Sequence, residues 1–138
     1  MKRITTLVIV TLSMLFAVSA RIGSAQDAKP TLDGNQLLQE CNLAIKATDG
    51  ARLTTTEAYI AGHCVGYLAG VYDALWMTPG HLPGKDCIAA IPDGVSITEL
   101  VKVVVKYLND HPNRLHLDYE VLTFIALGEA YPCSNTHK

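Results

Sequence analysis

The stretch Thr54–Met77, TTTEAYIAGHCVGYLAGVYDALWM, decides the fold class. Thr54 and Glu57 stand in the S/T-x-x-E arrangement, in which the hydroxyl accepts from a backbone N–H of the first turn and the glutamate reaches back to the cap. After it, Ala58, Ala61, Val65, Leu68, Tyr72 and Leu75 recur at alternating three- and four-residue steps, the period of a helix face. Twenty-four residues without proline predict one long helix, to about Met77. A second row is unusual: Ala58, Gly62, Gly66, Gly70 and Ala74 fall every four residues, so one face carries almost no side chain. Each interior glycine costs about 1 kcal/mol relative to alanine. The row therefore predicts close packing of another backbone at Gly62, Gly66 and Gly70, first as an internal helix crossing and second as a dimer seam.

The same start signals recur on both sides. Asp33 with Gln36, and Leu32 with Leu37 as a hydrophobic staple, open a helix that should end near Thr48, before the turn Asp49-Gly50. Ser96 with Glu99, and Val95 with Leu100, open another, with Ile97, Leu100, Val101, Val104 and Leu108 inward. Val103-Val104-Val105 favours a strand, but the cap and the 3.6-residue period outweigh it. His111-Pro112 stops that helix, and a last one should run from about Asp118 to Ala130. Between them, Thr78–Asp93 holds Pro79, Gly80, Pro83, Gly84 and Pro92 and reads as a long connection. The expectation is an all-α, four-helix domain.

The N-terminus has the tripartite export pattern. Lys2 and Arg3 precede an apolar run from Leu7 to Ala20, and small residues end at Ala20 and at Ala25. Residues 1–25 are expected to be a cleaved signal peptide and residues 26–138 the mature domain. Cleavage removes three of the 11 basic residues and none of the 13 acidic ones, leaving a net charge of −5. Such a domain has no electrostatic footprint for nucleic acid or an anionic membrane, and no stable membrane insertion is expected after cleavage. Cys41, Cys64, Cys87 and Cys133 are an even set in an exported chain and read as two disulfides. Three pairings are possible. Cys41–Cys64 with Cys87–Cys133 is expected, because antiparallel packing of consecutive helices brings the first two together and leaves the others on adjustable segments. No metal or cofactor is expected.

Catalytic chemistry has little to stand on. Tyr59, His63 and Tyr67 lie at four-residue steps on the long helix, and Asp73 lies further along it. They would do acid–base work only if they lined a pocket. Asp73 near a helix C-terminus opposes the macrodipole, so a partner such as Lys85 or a tyrosine hydroxyl is expected. His81, Lys85 and Asp86 on the long connection are candidates for partner binding.

The segment Tyr59–Leu75 resembles the signature helix of the Rap/Tai family of type VI secretion immunity proteins. Cys87, Ile91–Val95, Leu100–Leu108, His111-Pro112 and Ala126–Cys133 are similar to that family in the same order. The resemblance implies a periplasmic, helical, typically dimeric and non-catalytic protein that binds and blocks a cell-wall amidase. It also maps the four cysteines onto structural ones. The alternative is a small periplasmic stress or chaperone-like protein that unfolds in acid.

Overall fold

The computed structural model describes residues 32–133; the expected signal peptide and the tail after Cys133 lie outside them. Among the described residues there are four α-helices: α1 Gly34–Thr48, α2 Thr55–Met77, α3 Ile97–Asp110 and α4 Tyr119–Ala130. Short 3-10 turns at Pro79–His81 and Pro112–Arg114 follow α2 and α3. The only β pairing among these residues is an isolated bridge between Asp33 and Asp118. The all-α, four-helix expectation holds.

The start signals act through different partners. Thr54 accepts from Glu57 N at 3.2 Å while Glu57 Oε2 accepts from Thr54 N at 2.8 Å. Ser96 and Glu99 form the same reciprocal pair, at 3.3 and 2.7 Å. Asp33 caps α1 by accepting from Gln36 N at 3.0 Å, but the reciprocal half is missing. The Gln36 amide turns inward instead and donates to Glu40 Oε1 at 3.0 Å. Helix α4 has no side-chain cap; its first N–H, on Tyr119, donates to the Leu32 carbonyl at 3.0 Å.

The first turn of α1 is satisfied from across the fold. Gly34 N and Asn35 N donate to the carbonyls of Leu117 and Leu115, at 3.1 and 3.2 Å. This removes two of the unpaired donors that a helix N-terminus carries. It also brings the chain so close that a Cβ on Gly34 would overlap Leu122 Cδ1 and lie 3.0 Å from Leu115 Cα.

Every helix feeds one core. Leu37, Cys41 and Ala44 come from α1, Ala61, Cys64, Leu68 and Leu75 from α2, and Leu122, Ala126 and Leu127 from α4. Helix α3 is the most sharply two-sided: Leu100, Val101, Val104, Val105, Tyr107 and Leu108 are buried, while Lys102, Lys106 and Asn109 are exposed. The valine run is helical because Val104 and Val105 fall within that buried face, with Val103 half-buried beside it. Both expected disulfides are present, Cys41–Cys64 with Cα atoms 5.2 Å apart and Cys87–Cys133 with 6.1 Å. By loop-closure entropy they are worth about 3 and about 4 kcal/mol.

Helix α2 keeps part of its expected row: Ala61, Leu68 and Leu75 are buried and Tyr72 is partly buried. Ala58 and Val65 face outward, and the buried row is Ala61, Cys64, Leu68 and Leu75. Among the described residues the internal crossing expected at Gly62, Gly66 and Gly70 is not found: a Cβ on any of them would meet nothing within 4 Å. Helices α1 and α3 pack against one side of α2, and among the described residues the glycine row lies on the other side.

Two substitutions separate these environments. Gly34→Ala should destabilise the domain by about 2 kcal/mol, because backbone as well as side chain must move. Leu68→Ala should cost about 2–5 kcal/mol through the cavity it leaves. Urea melts measure both, and parental stability in Gly34→Ala would contradict the packing described.

Candidate functional site

The most exposed irregular feature is the connection from α2 to α3. Thr78 ends α2, accepting from Gly80 N at 3.3 Å and donating to the Ala74 carbonyl at 2.9 Å. His81 completes the cap: its Nδ1–H donates to the carbonyls of Leu75 at 2.9 Å and Thr78 at 3.1 Å. Its ring stacks on Trp76, centroids 4.3 Å apart, and Tyr72 tilts against the same indole at 6.0 Å. His81 therefore anchors the connection and presents only its far edge outward.

Beyond it the chain projects. Leu82, Pro83, Gly84, Lys85 and Asp86 are all exposed. Gly84 has φ +151°, a backbone conformation open to glycine and strained for other residues. The chain returns through Ile88 N and Ala89 N, which donate to the buried Gly80 carbonyl region at 2.7 and 3.2 Å, and through Ala90 N, which donates to the Tyr131 carbonyl at 2.9 Å. Ala89 and Ile91 then enter the core. The result is a narrow tip with two charged side chains, Lys85 and Asp86, neither engaged in a hydrogen bond or ion pair.

The acid–base candidates on α2 are not brought together. Tyr59 is 79% exposed, and Asp73 is exposed with neither Lys85 nor a tyrosine hydroxyl as partner. Tyr67 turns toward α4 and meets Tyr119 edge-on at 4.6 Å. Its hydroxyl is buried without a hydrogen-bond partner; Thr123 approaches it, but the Thr123 hydroxyl donates to the Tyr119 carbonyl at 2.8 Å. Burial pushes the Tyr67 phenol up to about 12, so it stays protonated at neutral pH.

His63 has a different partner, which the sequence reading missed. Its Nδ1 lies 2.6 Å from Oε2 of Glu40, a carboxylate on α1 whose residue is only 7% exposed. With the Gln36 amide on Oε1, both carboxylate oxygens are satisfied. The signal was present: Glu40 precedes Cys41 and His63 precedes Cys64, so accepting the Cys41–Cys64 bridge sets their neighbours opposite each other. Glu40 lines a polar cleft of about 420 Å³ with Asp33, Gln36, Gln39 and Ile60. A smaller, mostly apolar cleft of about 230 Å³ lies between α3 and α4, floored by Val103, Tyr107 and Ala126.

Among the described residues, no three His, Cys, Asp or Glu side chains are placed to hold a metal ion. No described helix is long and apolar enough to cross a membrane. The arrangement defines a class: a small, disulfide-braced helical frame that presents an exposed loop. Residues 33–133 match the model of the family described as Rap1a immunity proteins, well over half of the chain. The chain belongs to the Rap1a immunity protein family. Its partner is accordingly a toxin, and both the family and the disulfides are compatible with a secreted or periplasmic protein. Neither the curated proteins nor the solved structures include a match to this chain.

His63→Ala would strand the Glu40 carboxylate with one donor and should cost about 1–3 kcal/mol. Tyr59→Phe and Asp73→Asn should stay within about 0.5 kcal/mol of the parent. Denaturant midpoints for the three variants test this contrast.

Acid should act first on the helix starts. Hydrogen bonds from the Thr54 and Ser96 caps hold Glu57 and Glu99 below the ordinary glutamate value of 4.5. A lowered folded-state value means the stabilisation is full above 4.5 and is lost as pH falls through the folded values. Stability measured from pH 7 to pH 2 should fall only on the acid side of that point, and Thr54→Ala with Ser96→Ala should flatten the fall.

Proposed function

We propose that the chain is exported, sheds residues 1–25, and in the periplasm binds a peptidoglycan-cleaving amidase delivered by type VI secretion. It inhibits the enzyme stoichiometrically and without turnover of its own. The observation that carries this reading is the Leu82–Asp86 tip, exposed throughout and held between the Gly80 anchor and the Cys87–Cys133 bridge. A protrusion already fixed before docking loses little entropy when it enters a cleft, which is how a small inhibitor gains affinity. Lys85 and Asp86 supply the polar reach. His81 contributes by holding the base of the tip.

The protein acts as a homodimer through the uncovered side of α2. Ala58, Gly62, Gly66, Gly70 and Ala74 read the same in both directions about Gly66. A two-fold axis through Gly66 would set Gly62 against the partner's Gly70, Ala58 against the partner's Ala74, and the exposed Tyr59 beside the partner's Asp73. Such an isologous seam gives the glycines a use that the single chain lacks.

Titrating the toxin encoded beside this gene with purified protein tests the main reading. Peptidoglycan cleavage should stop at a one-to-one ratio, and Lys85→Ala with Asp86→Ala should weaken inhibition roughly tenfold or more while leaving the melting temperature unchanged. Cleavage at full rate with inhibitor in excess, and no complex on sizing chromatography, would overturn it. For the seam, Gly66→Leu should convert a dimer to a monomer that keeps its helical signal; a dimer of unchanged size would exclude this face.

A further inference from the structure

The two disulfides differ in where they sit and in what they hold. Cys41 and Cys64 are both 0% exposed, covered by α1 and α2. Cys87 and Cys133 are partly exposed, one in the connection and one just past α4. From Leu82 to Cys87 the backbone bonds are local, Leu82 N to the Pro79 carbonyl at 3.0 Å and Cys87 N to the Gly84 carbonyl at 3.3 Å. Beyond the Leu82–Pro79 bond at its base, the one link from this segment to the other described residues, among hydrogen bonds, ion pairs and disulfides, is the bridge to Cys133. The next residues do not need it: Ile88 and Ala89 are tied to Gly80, Ala90 to Tyr131, and Ala89 and Ile91 are buried.

We propose that Cys87–Cys133 is a redox-operated clasp on the tip: a dithiol reductant opens it while Cys41–Cys64 stays closed, and opening it loosens Leu82–Cys87 without unfolding the helices. That this tip is the toxin-docking element rests on the function proposed above; the clasp itself does not. The chemistry is thiol–disulfide exchange. A thiolate of the dithiol attacks one sulfur of the bridge, forming a mixed disulfide and releasing the other cysteine as a thiolate, which takes up the proton the attacking thiol lost. The second thiol of the reductant, as its thiolate, then attacks the reductant's own sulfur in that mixed disulfide, closing the ring and releasing the remaining protein cysteine, which takes up the second proton. The protein gains two electrons and two protons as Cys87 and Cys133 thiols, and the reductant leaves as its cyclic disulfide. Access to the attacked sulfur governs the rate, and a fully covered bridge reacts only when its surroundings open. Reduction therefore acts on the tip's stiffness and so on the affinity that depends on it.

The test uses the purified oxidised chain and graded dithiothreitol, quenched by alkylation and read by peptide mapping. Cys87 and Cys133 should be labelled roughly 100-fold faster than Cys41 and Cys64. Trypsin cleavage after Lys85 should accelerate about tenfold over the same interval, with the helical circular dichroism retained. The Cys87→Ser, Cys133→Ser double variant should show the fast cleavage without reductant. Labelling of all four cysteines together, loss of helix as the outer bridge opens, unchanged cleavage after selective reduction, or a double variant that does not fold would each overturn the clasp. Amidase inhibition by the fully oxidised protein judges the toxin reading separately; where it inhibits, selective reduction should raise the inhibition constant at least about tenfold.

Discussion

The crossing of α1 on α2 is held by a covalent bond and a hydrogen bond side by side. Cys41–Cys64 joins the helices inside the core, and one residue earlier on each helix His63 Nδ1 meets Glu40 Oε2 at 2.6 Å. The two ties occupy neighbouring positions of the helix surface, so together they set the rotation of α2 about its own axis as well as its distance from α1. That rotation decides which side of an apolar helix is buried. It sends Ala61, Cys64, Leu68 and Leu75 inward and leaves Gly62, Gly66 and Gly70 outside. A buried carboxylate is expensive unless both oxygens are met, and here Gln36 and His63 meet them. Gln36 is drawn away from the capping role its spacing suggested for this reason.

Element boundaries were legible because they rest on local chemistry. A Thr or Ser accepting from a glutamate N–H three residues on is decided within one turn, and it recurs at Thr54 and Ser96. The pairing of the cysteines was legible from connectivity, since consecutive helices joined by a short turn at Asp49-Gly50 pack against each other. The buried face of α2 was legible only in part: Ala61, Leu68 and Leu75 were read as inward, Cys64 was not. Apolar residues surround the helix, so two stripes one residue out of step describe its period nearly equally well, and only contacts distant in sequence choose between them. The Glu40–His63 pair was hidden for the related reason that it spans 23 positions. At the candidate site, the exposure of Lys85 and Asp86 followed from the proline and glycine punctuation. The inward engagement of His81 did not, because it depends on where the last carbonyls of α2 point.

Glycine has three different duties in this fold. Gly34 is required by proximity, because α1 starts against Leu115 and Leu122. Gly84 is required by backbone angle at the turn of the tip. The glycines on α2 are required by neither, since each has a helical backbone angle and open space before it. Among the described residues nothing offsets their helix-propensity cost of about 1 kcal/mol apiece. Among the described residues nothing packs on that side of the long helix, which is the side the proposed seam would cover.

The same division separates the two ends of the molecule. Around Cys41–Cys64 the fold is over-determined: a bridge, a satisfied carboxylate and the leucine-rich interior all impose one arrangement. Around the tip it is determined by few contacts, with His81 and Gly80 holding one side and Cys87 the other. Local stability in a protein follows the number of such ties, so the regions that open first are those held by fewest. A tip built this way is rigid only while each tie is intact. Under the proposed clasp, its stiffness changes by chemistry at one partly exposed bridge while the frame, whose own bridge is covered, keeps the helices in register.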